Sequence, residues 1–188
     1  MGSRIFYHKV KDIYTTSIDY DGQGEITKEF YATVQNKLHW AVHQHTAAEL
    51  IKNRVSAKKT NMGLTTWKGE KIRKSDITIA KNYLKEDELK QLNLLVEQYL
   101  AFAAAQAQAQ RPMYMKDWIK KLNDILTINE REILQHSGRI TKRLADELAA
   151  KEYESYKEKR RIVEKIKSIE ELEKEMKQMR LDLKSKKK

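Results

Sequence analysis

Residues 38–50 read LHWAVHQHTAAEL, and the parsing of this stretch decides the fold. Leu38, Ala41 and Val42 continue a helical stripe begun by Phe30 and Val34, so a helix is expected over about 27–42. Gln44-His45 breaks the period. Thr46-Ala47-Ala48-Glu49 then has the form of a capping box, in which the threonine hydroxyl caps the Glu49 amide and the glutamate reaches back. A second helix should follow to about Val55, so the stretch is expected to be helix, tight turn, helix.

The same residues include three histidines and a glutamate, and a chemical reading competes with the structural one. His39 and His43 lie one helical turn apart and could grip a divalent ion, with His45 as a third ligand and Glu49 completing the site or orienting a water. A metal-bound water ionises near neutrality, so a metal-dependent phosphodiesterase or nuclease follows, with His43 and Glu49 as its catalytic candidates. Against this, no glutamate sits between the paired histidines as in HExxH, and Glu49 is already claimed by the capping box. The structural reading is favoured, and with it a non-enzymatic function with no firm cofactor.

Working outward, the next segment carries the charge. Between residues 52 and 74 there are eight basic residues and one acid, Glu70, whereas residues 1–150 together hold 24 basic and 18 acidic. This stretch, SAKKTNMGLTTWKGEKIRK from residue 56, has two glycines and no periodicity, and reads as a long loop or short hairpin. Lys58, Lys59, Lys68, Lys71, Arg73 and Lys74 are candidate phosphate contacts. Trp67 among them suits base stacking, or anchoring of the loop to a core.

Further on, Ser75 or Asp76 can cap a short helix over DITIAKNYL. Leu89, Leu92, Val96, Tyr99 and Ala103 mark a longer one that runs into AFAAAQAQAQ. After Pro112, Met115, Trp118, Ile119, Leu122 and Ile125 mark another. Thr127–Glu130 offers a second capping box, leading into EREILQH with a stop at Gly138. From Ile140 nothing breaks the helix. Ile162, Ile169, Met176 and Leu183 recur every seven residues, with Leu172 and Met179 in the intervening seam and Lys165 in the equivalent place one heptad earlier. A short coiled coil through residues 158–184, and homo-oligomerisation by it, is the expectation, with folding back on the body as the alternative. The terminal KSKKK should fray.

Upstream, a first helix is expected over 4–16. Residues 19–30 imitate a calcium loop, with Asp19, Asp21, Gln23 and Gly24 in place but Phe30 where a bidentate glutamate is required. A loop entering a helix is the better reading. Met1-Gly2-Ser3 resembles a cloning scar, so residues 1–4 are set apart as a tag or flexible start. The 188 residues carry a formal charge of +11, no cysteine and one proline. Disulfides and thiolate chemistry are therefore excluded, and no apolar run is long enough to cross a bilayer, so no membrane partner is expected. The architecture expected is all-α: a compact multi-helix bundle over 5–137, then a long C-terminal helix over 138–188 with a short coiled coil and a basic tail. A cytoplasmic location goes with it.

Several long phrases are peculiar enough to carry a resemblance: FYHKVKDIYTTSIDYD (6–21), EITKEFYATVQNKLHWAVHQHTAAELI (25–51), MGLTTWKGEKIRKSDITIAKNYL (62–84), and PMYMKDWIKKLNDIL with NEREIL (112–134). By these the chain resembles the RhuM family of bacterial virulence islands and mobile elements. The resemblance implies a fold and a context of mobile DNA, virulence or defence, but no catalytic residues. Members usually place a DNA-binding-like segment ahead of this region, and that segment is expected to be missing here. A Fic-type AMP-transfer site would need a glycine-rich turn that the chain does not have. The function expected is thus a nucleic-acid-associated helical domain acting through its basic loop. The alternatives are the metal-dependent nuclease at His39, His43 and His45 and an oligomerising interaction module.

Overall fold

A computed structural model describes residues 17–21 and 24–185, with side chains to 179. The expected first helix over 4–16, and Gly22-Gln23 of the calcium-like loop, lie outside the described residues. Five α-helices and two short 3-10 turns make up the fold, with no strand among the described residues. It is all-α, as expected.

Helix α1 (Glu25–His43) begins one residue after the glycine-bearing loop, so that loop does enter a helix. It buries Phe30, Val34, Leu38 and Ala41 along one stripe, and His39 beside it. Gln44 ends it in the left-handed region at φ 56°, donating its N–H to the Trp40 carbonyl. Helix α2 (Ala47–Arg54) then starts on a complete Thr46/Glu49 capping box. This helix, turn, helix arrangement matches the reading of LHWAVHQHTAAEL.

Helix α3 (Glu86–Gln108) opens with Glu86, Asp87 and Glu88, acids that suit the positive end of the helix dipole. It buries Leu92, Leu95, Val96, Tyr99 and Ala103. Helix α4 (Met115–Ile128) is started from two sides: Asp117 accepts from the Tyr114 N–H, and Asp19 from the Met115 N–H at 2.9 Å. Asp19, a calcium candidate by position, therefore serves as a distant helix cap. Trp118 meets Tyr99 and Phe102 edge-on, and the Tyr99 hydroxyl donates to the Trp118 carbonyl at 2.8 Å. Helix α1 packs against α3 and α4 through these stripes.

Two local expectations are corrected. Residues 127–130 do not open a helix. They close α4, and 129–141 run irregularly with Glu130 at φ 55°, because Thr127 donates its hydroxyl back to the Asn123 carbonyl instead of capping forward. DITIAKNYL forms turns and one 3-10 turn (Ala80–Tyr83), because Asp76, Ile77 and Asn82 are held by loop contacts that a continuous helix would break.

Helix α5 (Lys142–Ser185) has 44 residues, about 66 Å at 1.5 Å each. Its first turns pack on α2, where the fully buried Ala145 and Ala149 allow close approach, and Tyr153 and Tyr156 lean on the core. From 161 to 179 every residue is exposed. The helix docks by its first turns and projects beyond them, so the described part of the heptad segment does not fold back on the body.

Candidate functional site

The turn that separates α1 from α2 sends the polar residues of LHWAVHQHTAAEL in different directions. His39 is buried, at 3% exposure. Its Nδ1 lies 2.9 Å from His43 Nε2, so one ring donates to the other. Burial is the main cause that pushes both pKa values down, to about 3 for His39 and about 4 for His43. Lys81 and Arg54 lower His39 further, while Glu88 opposes. The pair is therefore neutral under ordinary conditions. The Arg54 guanidinium forks onto the Glu88 carboxylate, with Nη1 to Oε2 at 2.6 Å, and also donates to the Tyr83 carbonyl. That pairing holds Glu88 down at about 2.

The His45 ring centroid lies 5.8 Å from that of His43, but its Nδ1 bonds the His43 carbonyl at 2.6 Å. Glu49 is turned elsewhere. Its Oε2 accepts from the Thr46 N–H at 2.8 Å and its Oε1 from the Arg139 N–H at 2.7 Å. Burial favours the neutral acid, yet these N–H donors outweigh it and leave the Glu49 pKa below the usual value. The structure brings the three candidate metal histidines into sequence-local contact and keeps Glu49 out. Among the described residues no group of three or more His, Cys, Asp or Glu side chains converges to hold a metal ion.

The basic segment is a loop, as read, but an ordered one. The buried Asp76 carboxylate accepts the Arg73 N–H at 2.8 Å and the Lys68 N–H at 3.4 Å, so one acid staples both ends of a six-residue turn. Gly69 supplies the positive φ, +83°, which that turn requires. Inside it, Ile72 is buried and its carbonyl accepts from the Tyr153 hydroxyl of α5 at 3.2 Å. The loop base is tied to Asn82, whose carbonyl accepts the Thr65 and Thr66 N–H groups. With the apolar knob inside, Lys68, Lys71, Arg73 and Lys74 are left on the outer side, all exposed, with Lys58 and Lys59 exposed on the approach. Lys59 Nζ donates to the Arg54 carbonyl at 3.1 Å. Trp67 is partly buried against the core, so it anchors the loop and keeps part of its surface in solvent.

Three contributors escaped sequence reasoning. The sequence offers Ser75 or Asp76 as a helix cap; the signal for the role that Asp76 has is an acid with two backbone donors at short range, which many loops share. Arg54 and Glu88 meet across 34 residues, and His136 packs edge-on against Trp40, 4.9 Å between centroids, across 96. Nothing local announces such pairs.

The family described as "Virulence protein RhuM family" matches residues 1–164. No curated protein and no solved structure matches the chain. The family match runs through the bundle and into the projecting part of α5, and the chain belongs to this family.

Proposed function

From membership of the RhuM family and the geometry of the loop, we propose that this is a nucleic-acid-associated helical domain that contacts phosphate backbone through residues 58–74. One observation carries the reading. Among the described residues Lys58, Lys68, Lys71, Arg73 and Lys74 are exposed without a carboxylate partner and stand together on one ordered loop. Unpaired cations held on a pinned backbone lose little freedom on meeting a polyanion. Contacts of this type are largely independent of base sequence. The part-exposed face of Trp67 suits a base of a single strand. The virulence or mobile-DNA context is the setting in which such binding would operate.

The test is titration of labelled single- and double-stranded DNA and RNA at two salt concentrations. Six phosphate contacts to duplex DNA give a slope of log affinity on log salt of roughly −5. Replacing Lys68, Lys71, Arg73 and Lys74 by Gln should remove most of that slope. Binding that is absent at low salt, or indifferent to salt, refutes the reading.

A second reading, self-association, is favoured by a different observation. Ile162, Ile166, Ile169, Leu172, Met176 and Met179 of α5 are each half or more exposed, an apolar stripe that a second helix would cover.

A further inference from the structure

We propose that the pocket on the outer side of the α1–α2 turn binds a phosphate group, at a site separate from the basic loop. The cavity, about 340 Å³, lies between the turn and residues 136–140, and His45, Lys52, Asn53, His136 and Arg139 line it, with Trp40 and Glu49 in its wall. That volume falls at the small end of ligand pockets, roughly 300–1,000 Å³.

Its chemistry is one-sided. The Glu49 carboxylate is the acid of the lining, and both its oxygens are already taken by backbone N–H groups. Lys52 and Arg139 bring two full positive charges, each exposed and without a carboxylate partner among the described residues. The two imidazoles are fixed in their tautomers by the backbone. Gly138 donates its N–H to His136 Nδ1 at 3.0 Å, which leaves the His136 proton on Nε2 as a donor. His45 Nδ1 must donate to the His43 carbonyl, so its Nε2 carries the lone pair. A wall that holds two unpaired cations, with both oxygens of its one carboxylate already occupied, calls for an anion. A guanidinium fork, an ammonium and an imidazole N–H around one cavity suit the tetrahedral oxygens of a phosphate better than a single-atom ion.

The pocket is also rigidly made. Gly138 sits against Thr46, and the adjoining Arg139 N–H is locked to Glu49, so the capping box that starts α2 also fixes the far wall. The inference is independent of the loop reading, because Lys52 and Arg139 belong to neither the loop turn nor its staple.

The phosphate can come from a free nucleotide or from a nucleic-acid strand. The experiment follows the ¹H–¹⁵N ring resonances of His45 and His136 while inorganic phosphate, a 5′-mononucleotide or a short oligonucleotide is added, against potassium chloride at matched ionic strength. Saturable shifts with phosphate are expected, weakened roughly tenfold or more in K52Q/R139Q and unchanged in K71Q/R73Q/K74Q. Tighter binding of the mononucleotide identifies a free nucleotide as ligand, and tighter binding of the oligonucleotide identifies the strand. Shifts reproduced by chloride, or retained in full by K52Q/R139Q with its helical circular dichroism intact, overturn the proposal. Loss of oligonucleotide binding in the loop variant, with the phosphate response kept, separates failure of one site from failure of the other.

Discussion

Replacing Gly138 by alanine tests the joint on which the candidate pocket and the start of α2 both depend. Gly138 has φ +90°, and a Cβ there would stand 2.8 Å from Thr46 Cγ2 and 3.0 Å from Thr46 Oγ1. The backbone conformation alone costs a side-chain-bearing residue about 1–2 kcal/mol. Overpacking against a buried threonine adds roughly 1–3 kcal/mol. Relief by moving Thr46 is expensive, because its hydroxyl accepts the Glu49 N–H and its own N–H donates to the Glu49 carboxylate. A loss near 3 kcal/mol is expected, or roughly 6–12 °C in melting temperature for a chain of this size. Thermal and urea unfolding followed by helical circular dichroism measure it. The companion Thr46→Ser keeps the capping hydroxyl and removes the methyl. In that background the Gly138→Ala penalty should shrink by about 1 kcal/mol, leaving the backbone share. A Gly138→Ala loss under about 0.5 kcal/mol, or a penalty indifferent to Thr46→Ser, would refute the close-approach argument.

Other consequences can be checked in the same way. His39 and His43 have folded pKa values of about 3 and 4, below the unfolded value near 6.5. Their neutrality therefore supports stability that is complete above about pH 6.5 and is lost as pH falls toward 4. Urea midpoints across that window should decline, and less so in H39Q/H43Q; a flat profile for the unaltered chain contradicts the buried neutral pair. Arg54→Ala strips Glu88 of both side-chain bonds and the Tyr83 carbonyl of its donor, and with both partners partly exposed the cost should be about 2 kcal/mol by chemical denaturation. If α5 self-associates, light scattering at high concentration should show a multimer that Ile169→Glu converts to monomer; a monomeric unaltered chain sinks that reading. Lys165 occupies a seam position, so a parallel pair would set two lysines face to face, and an antiparallel pair is the expected arrangement.

The local signals were legible wherever one helix carried its own evidence. The Thr46/Glu49 box, the stripe of α1 and the buried positions Leu92, Val96, Tyr99, Trp118 and Leu122 were all readable from periodicity, because each concerns neighbours within a turn or two. Residues 127–134 misled for the same reason. Thr127 and Glu130 have capping-box spacing, yet α4 was already helical through Ile128, and an existing helix uses its last threonine on the preceding carbonyl. The loop charges were legible; the Asp76 staple that presents them was not. Nor could spacing show that His39 is buried, since a polar residue beside an apolar stripe faces the core or the solvent according to what packs there.

The histidines of LHWAVHQHTAAEL illustrate how a turn divides one cluster into several roles. Along α1, four-residue spacing puts His39 and His43 on one face, where burial holds them neutral against each other despite the nearby Glu88 carboxylate. Gln44 takes the left-handed conformation and reverses the chain, so Glu49, though close in sequence, lines the pocket with Trp40 and His45 and stays apart from the His39–His43 contact. Glu49 anchors the 136–140 segment there, and that segment brings His136 and Arg139 beside His45 and Lys52. The metal reading asked for His39, His43 and His45 on one ion, and among the described residues no such group converges. The observed division instead yields a buried imidazole pair that is sensitive to acid and a donor-rich pocket whose anion can be sought directly.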